Sequence, residues 1–322
     1  MSTSTECAVT ITSNAIGCLV ASVFIGLFMW KLWFTENNLD KIVIFMQKNI
    51  VYLSYFFLLF TASSYALNIL YISINCGNNH DLIASTRYDI IVILLILSLS
   101  TFQMLFQFLM LFQIFYGFQD LTHSLSKATF IVFVVLIIAE YLIEVYYDID
   151  ISFIHTDSTS NLYDDVFPAV FLGIDLLIAV SFIYLFSNKL SKSMKYDWSS
   201  FTQLQPADAN EDTALEDHSK YFDTAYITKI CVLCIQAIVM RLLYVIIVIV
   251  DELVYRPSDS TGFNVVYSIR TWITMVCISV QILCVYLLFP FASSWYDTLC
   301  KSCNQCCYIR QQKNTMEDYQ QL

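Results

Sequence analysis

The sequence predicts an all-α, polytopic membrane protein built as a seven-transmembrane helix bundle. Of its 322 residues, 58% are hydrophobic and only 13% are charged, whereas soluble domains carry about 25% charged residues. Such a chain has too few polar residues to cover a globule in water. Acids outnumber bases by 27 to 16, which argues against nucleic acid as a partner. The lipid bilayer is therefore the first predicted partner.

Seven apolar stretches are each long enough to cross the hydrocarbon core, which takes about 20 helical residues. Polar or turn-forming segments separate them. The predicted spans are residues 15–34, 50–74, 89–116, 128–148, 166–187, 227–250 and 265–289. They form a predicted bundle over 15–289, with a short N-terminal segment, 1–14, before it and a tail, 290–322, after it.

The basic residues predict the orientation, because Lys and Arg near span ends are retained on the cytosolic side. Apart from two arginines inside spans, every base except Arg87 and Arg256 falls on the side of the C-terminal tail. With an odd number of spans, the N-terminus is expected to be exoplasmic and the C-terminus cytosolic. The acidic exoplasmic face is then either an ordinary solvated surface or a vestibule that attracts cations.

Charged residues inside the predicted spans need partners, since each unpaired ion opposes insertion by about 2.5–3.5 kcal/mol. Five of them lie away from the span ends: Glu140, Glu144, Asp175, Arg241 and Arg270. With a rise of about 1.5 Å per residue, all five fall in one layer slightly outside the midplane. We therefore expect an ion-paired layer inside the bundle.

Two arginines neutralise two of the three acids in this layer, so the remaining acid should be protonated or matched by a bound cation. Three interpretations stay open. The layer is an ion-pair lock that fixes the helices, a polar ligand pocket in the outer half of the bundle, or a path for protons or ions.

A polar stripe runs along one face of the third span, formed by Ser100, Gln103 and Gln107 at spacings of three and four residues. Such side chains hydrogen-bond to neighbouring helices. The stripe is predicted to join helices, with a pocket wall as the alternative.

Cysteine positions predict two modifications. Only Cys7 and Cys76 face the expected oxidising side, which makes them the candidate disulfide. In the tail, an amphipathic pattern leads into four closely spaced thiols that are candidates for S-palmitoylation. These are Cys300, Cys303, Cys306 and Cys307. Free thiols and a zinc cluster are the alternatives, but zinc frameworks usually space their ligand pairs more widely, so no metal is predicted.

Two further segments are expected to meet cytosolic partners. The longest connection, residues 190–226, has an acidic, apolar-poor middle typical of disorder, either as a tether or as a docking site for an adaptor. The last four residues, Tyr319 to Leu322, have the form of a Tyr-x-x-bulky-apolar sorting signal. No catalytic motif is present and all four His lie in predicted loops, so neither enzymatic activity nor a cofactor is expected.

The topology resembles that of the G-protein-coupled receptor superfamily, with seven spans, an exoplasmic N-terminus, a long third cytosolic loop and an amphipathic helix after the last span. The resemblance implies a receptor for an unknown ligand that couples to a heterotrimeric G protein. The third span ends in Phe115-Tyr116-Gly117 where the rhodopsin-like class carries Asp/Glu-Arg-Tyr, and the seventh span has no Asn-Pro-x-x-Tyr. The rhodopsin-like activation machinery therefore does not carry over.

Parts of the third and sixth spans are also similar to the tobamovirus-multiplication type of seven-helix membrane proteins. These parts are Leu111 to Tyr116, Ile230 to Cys234 and Arg241. This resemblance implies a scaffold or trafficking protein of endolysosomal or vacuolar membranes, and it agrees with the Tyr319 signal. A receptor at the plasma membrane, an organellar scaffold, and a transporter or channel are the three functional hypotheses.

Overall fold

The computed structural model describes residues 3–34, 48–76, 86–116, 126–153, 161–201, 228–247, 263–289 and 292–299. All regular structure in these ranges is helical, with no strand. The helices are α1 (Thr3–Phe34), α2 (Lys48–Cys76), α3 (Thr86–Tyr116), α4 (Lys127–Phe153), α5 (Asn161–Phe201), α6 (Thr228–Ile247), α7 (Phe263–Leu287) and α8 (Ser293–Leu299). Each of α1 to α7 contains a segment long and apolar enough to cross a membrane, which confirms the predicted seven-helix topology.

The helices pack in an order that follows the chain. α1 lies against α2 and α7, α2 against α3, α3 against α4, and α4 against α5, while α3 also touches α5. Aromatic contacts show that neighbours run antiparallel. Tyr71 near the end of α2 stacks on Tyr88 near the start of α3, and Phe115 at the end of α3 contacts Phe130 at the start of α4.

One end of the bundle is marked by a disulfide that joins Cys7 of α1 to Cys76 of α2. We call this the disulfide end. α1, α3, α5 and α7 begin there, whereas α2, α4 and α6 end there. The first turn of α6 lies at the opposite end, where the Lys229 ammonium sits 5.0 Å from the ring centroid of Tyr296 in α8.

The contact between α1 and α2 is close because a glycine faces an aromatic ring. A Cβ atom placed on Gly17 would lie 2.4 Å from a ring carbon of Tyr65. One turn away, Asn68 Nδ2 donates to Asn14 Oδ1 over 3.0 Å. Backbone approach at a small residue is a common way for membrane helices to associate.

Two helices extend more than ten residues beyond one end of their predicted spans. α1 begins at Thr3, so residues 3–14, predicted as a segment outside the bundle, are helical. Two polar side chains in this part bond within the helix: Thr12 Oγ1 donates to the Ala8 carbonyl and Asn14 Nδ2 to the Thr10 carbonyl. Hydroxyl and amide groups that bond back one turn in this way do not end a helix.

The second helix that extends is α5, which continues to Phe201, beyond its predicted end at residue 187. Residues 190–201 of the predicted disordered loop are therefore helical, which corrects that boundary. No Gly or Pro lies between residues 187 and 201 to stop the helix, and the polar segment can continue past the membrane surface because its backbone bonds are internal. The rest of the predicted loop lies outside the described residues.

The outer surface of the spans is apolar. Large hydrophobic side chains are exposed along α4, including Ile131, Val135 and Leu142, each more than half exposed. A monomer in water rarely exposes so much contiguous apolar area, so the surface fits contact with lipid chains. The interior is a single apolar cluster with contributions from all seven helices.

The short helix α8 lies against the bundle. Tyr296 is buried, and the Trp295 ring packs edge-on against Tyr286 of α7. Trp295 and Leu299 are exposed on one face, as the amphipathic pattern predicted. The other members of that pattern, Phe291, Cys303 and Cys306, lie outside the described residues.

Candidate functional site: a polar cluster between four helices

Five buried polar side chains from α3, α4, α5 and α6 meet inside the apolar core. We call them the polar cluster: Gln103, Gln107, Glu140, Asp175 and Arg241. None is more than 8% exposed. An ion buried at this depth is costly unless it is paired and hydrogen-bonded, so the contacts within the cluster decide whether the arrangement is stable.

Arg241 of α6 is the centre of the cluster. Its Nε donates to Asp175 Oδ1 over 2.9 Å, and its Nη2 lies at the same distance from that oxygen. Nη2 also donates to Gln103 Oε1 over 3.2 Å and lies 3.5 Å from Glu140 Oε1. One guanidinium of α6 is thereby tied to α3, α4 and α5.

Gln107 of α3 connects the two carboxylates. Its Nε2 lies 3.0 and 2.9 Å from the two oxygens of Glu140 and 3.1 Å from Asp175 Oδ1. A neutral amide donor placed between two acids reduces their mutual repulsion through charge-assisted hydrogen bonds. Gln107 therefore allows Glu140 and Asp175 to approach the same arginine.

The polar stripe of α3 is thus part of the ion-paired layer. Gln103 and Gln107 each face the cluster, and both join helices as predicted. Ser100, one turn nearer the disulfide end, is fully buried, and its Oγ has no hydrogen-bond partner among the described residues. Sequence reasoning treated stripe and layer separately, although the depth calculation that placed the charges applies equally to the amides of α3.

Two of the five predicted charged residues stay outside the hydrogen-bonded cluster. Glu144 is half-buried and lies about 6 Å further along α4 than Glu140, out of reach of the same donors. None of the hydrogen bonds of Glu140 or Asp175 goes to Arg270. Arg270 is on α7, which packs against α1 and α2.

A second polar group lies about one turn nearer the disulfide end, and we call it the disulfide-side layer. It consists of Tyr65, Ser100, Glu144 and Tyr244. Tyr244 and Glu144 lie about one turn beyond members of the polar cluster, since they follow Arg241 and Glu140 by three and four residues. Sequence reasoning missed both tyrosines, because a Tyr in an apolar helix gives no signal that its hydroxyl faces inward.

Three buried oxygens have no hydrogen-bond partner among the described residues: Tyr65 Oη and Ser100 Oγ of the disulfide-side layer, and Asp175 Oδ2 of the polar cluster. Buried polar atoms are almost always bonded to protein or to water.

Within the hydrogen-bonded cluster, two acids, Glu140 and Asp175, share one guanidinium, that of Arg241. Within the described residues, no group of three or more His, Cys, Asp or Glu is placed to hold a metal ion.

The other predicted sites divide between the described and undescribed parts of the chain. The structure joins Cys7 and Cys76 in a disulfide, with their Cα atoms 6.2 Å apart. The palmitoylation candidates and both ends of the sorting signal lie outside the described residues: Cys300, Cys303, Cys306, Cys307, Tyr319 and Leu322.

In comparisons with known proteins, no family model, no curated protein and no solved structure matches this chain. Functional conclusions therefore depend on the bundle and on the polar cluster themselves.

Proposed function

We propose that this integral membrane protein is a divergent, G-protein-coupled-receptor-like receptor with its ligand pocket in the disulfide-side half of the bundle. The observation that carries the proposal is the set of bonds by which Arg241 of α6 is held to α3, α4 and α5. α6 cannot shift against these helices without separating buried charges. Such an ion-paired contact favours two discrete positions of α6 relative to α3, α4 and α5 over a continuous range of positions.

The position of the disulfide-side layer supports the same proposal. Its groups lie about one turn from the polar cluster, so a ligand bound there would contact the same helices that Arg241 joins. A ligand with different affinities for the two arrangements shifts their populations. A heterotrimeric G protein or a cytosolic adaptor at the opposite end of the bundle would then detect the change in α6.

The proposal includes the orientation predicted from the basic residues, with the disulfide end exoplasmic and α8 at the cytosolic leaflet. It places the protein in the plasma membrane or in an endolysosomal membrane, and it assigns no catalytic activity. An organellar scaffold and a transporter are the competing functions, and the experiment below is chosen to separate them from a receptor.

Guanine-nucleotide exchange tests the proposal in membranes of cells that express the full chain with a panel of G proteins. We expect Asp175→Asn to change basal exchange by at least about twofold at equal expression, because it weakens the bonds that favour one arrangement. Asp89→Asn is the matched control, since it removes the same charge from an exposed site at the disulfide end of α3.

Exchange no higher than in membranes without the protein, for wild type and variants alike, would overturn the receptor proposal. If the protein were then confined to lysosome-like membranes and moved to the surface by Tyr319→Ala, the scaffold function would be supported. Ion flux that depends on Asp175 in vesicles would support transport.

A further inference from the structure

Two carboxyl groups meet at one amide nitrogen inside the polar cluster. Gln107 Nε2 lies 3.0 and 2.9 Å from the two oxygens of Glu140 and 3.1 Å from Asp175 Oδ1. Both acids are buried, with exposed fractions of 3% and 1%. Two ionised carboxylates this close together in a low-dielectric interior repel each other strongly. When two acids share a site in this way, one of them tends to keep its proton.

A single guanidinium serves both acids. Arg241 Nε donates to Asp175 Oδ1 over 2.9 Å, whereas the contact of Nη2 with Glu140 Oε1 is longer, at 3.5 Å. The other side chains that bond to the cluster, Gln103 and Gln107, are neutral amides. If both acids were ionised, the cluster would carry a net negative charge away from water, which is costly.

The neighbouring titratable groups do not supply the missing positive charge. Glu144 and Asp148 follow Glu140 on α4 by one and two turns and are themselves acids. The next titratable side chain on α6 is Tyr244, which is neutral at ordinary pH. α3 faces the two acids with its two amides. None of the hydrogen bonds or ion pairs of the two acids goes to Arg270 of α7.

One of the four carboxyl oxygens is free to carry a proton. Both oxygens of Glu140 and Oδ1 of Asp175 each contact a nitrogen donor. Asp175 Oδ2, in contrast, is buried without a hydrogen-bond partner among the described residues. A charged oxygen without a donor is costly in the interior, and a neutral hydroxyl at the same place costs much less. This observation is independent of the count of charges.

We propose that Glu140 and Asp175 form a proton-binding site, in which the folded protein holds one proton at neutral pH, with Asp175 Oδ2 as the oxygen open to it. The pair then carries one negative charge, which Arg241 balances. A metal ion needs several oxygen ligands, whereas only one oxygen of the pair lacks a donor. No group of three or more candidate metal ligands occurs in the described part of the chain. A proton needs only one oxygen.

A proton held by the folded protein makes stability depend on pH. In the unfolded chain both acids are ionised above about pH 5, since free Asp and Glu lose their protons near about pH 3.9 and 4.3. Unfolding therefore releases the bound proton, and a rise in pH favours the unfolded state. One released proton corresponds to an increase of about tenfold in the unfolding equilibrium constant for each pH unit. The site would exist in a receptor, a scaffold or a transporter alike, so it goes beyond the proposed function.

Equilibrium unfolding of the full-length protein in detergent micelles, by titration with a denaturing detergent, measures this dependence between about pH 5.5 and 7. Other acids also contribute to the pH dependence, so the informative quantity is the difference between wild type and variant. For each pH unit, we expect the unfolding constant to rise about tenfold more in wild type than in Glu140→Gln or Asp175→Asn, because each variant leaves one acid for one guanidinium. The control is Asp89→Asn, which removes an exposed acid at the disulfide end of α3 and should keep the wild-type dependence.

The wild-type pH dependence in either Glu140→Gln or Asp175→Asn would overturn the inference, and so would an equal loss of that dependence in Asp89→Asn. If neither cluster variant folds, the wild type decides, through the protons that it releases to a pH indicator on unfolding at about pH 7. Release of at least one proton would support the site, and no release would overturn it.

Discussion

Asp175 presents a single oxygen to Arg241: Oδ1 lies 2.9 Å from both Nε and Nη2 of the guanidinium, while Oδ2 is buried without a hydrogen-bond partner among the described residues. The pair is therefore not the fork in which two parallel bonds join two oxygens to two nitrogens. Orientation of the guanidinium depends on the additional bonds to Gln103 and Glu140. This makes the amides of α3 as important to the cluster as its charges.

Gln107→Leu tests the role of the amide that bridges the two acids. The substitution removes the donor shared by Glu140 and Asp175, and we expect it to destabilise the protein by about 1.5–3 kcal/mol, the range for a hydrogen bond to a charged group. Unfolding in detergent or nanodiscs measures the change. Gln236→Leu is the matched control, because Gln236 is exposed on α6. Equal effects of the two substitutions would contradict the bridging role.

Gly17→Ala tests the close contact of α1 and α2. The added Cβ would lie within 2.4 to 2.8 Å of three Tyr65 ring carbons, so α1 or the ring must shift, and overpacking of this kind costs about 1–3 kcal/mol. Gly26→Ala in the same helix has nothing within 4 Å of the new atom and should be neutral or stabilising. Midpoints that fall equally for the two variants would contradict the close contact at Gly17, because only Gly17→Ala places an atom against the Tyr65 ring.

The disulfide should stabilise the arrangement of the first two helices. Cys7→Ser opens a cross-link between residues 69 positions apart, and loss of such a bond costs about 2–4 kcal/mol. The same decrease in the unfolding midpoint is expected when wild-type protein is reduced. Cys18→Ser, which removes a free, partly buried thiol, should not lower the midpoint as far. Reaction of Cys7 or Cys76 with a maleimide before reduction would contradict the bond.

Ser100→Ala tests whether the Ser100 hydroxyl has no partner in the ligand-free protein. Since the variant removes a buried oxygen without a bond, we expect no loss of stability in the absence of ligand, or a small gain. The control is Ser54→Ala, whose buried Oγ donates to the Ile50 carbonyl over 2.8 Å; it should cost about 0.5–1.5 kcal/mol. A larger loss at Ser100 than at Ser54 would mean that the hydroxyl is bonded.

The seven spans could be predicted from the sequence because apolar length alone decides whether a helix crosses a membrane. The convergence of Glu140, Asp175 and Arg241 could also be predicted, since rise per residue converts sequence position into height. Both inferences use only distance along a helix axis.

The sequence alone did not show which way each side chain faces around its helix axis, or which helices pack against each other. Arg270 lies at a similar predicted height, yet the hydrogen bonds of Glu140 and Asp175 go to Gln107 and Arg241 instead. Glu144 shares a helix face with Glu140 but lies one turn too far along. The extension of α5 to Phe201 was missed because a polar segment can remain helical without an apolar face to indicate it.

The central claim is that Arg241 is held by Glu140 and Asp175 together, and a charge-compensation series tests it most directly. Arg241→Met alone leaves buried acids without their cation and should destabilise the protein by about 3–5 kcal/mol. Combining it with Glu140→Gln and Asp175→Asn removes the uncompensated charges, and the triple variant should recover most of that loss in the same unfolding measurement. A triple variant as unstable as the sum of its three single substitutions would contradict the cluster, because independent sites add whereas coupled ones do not.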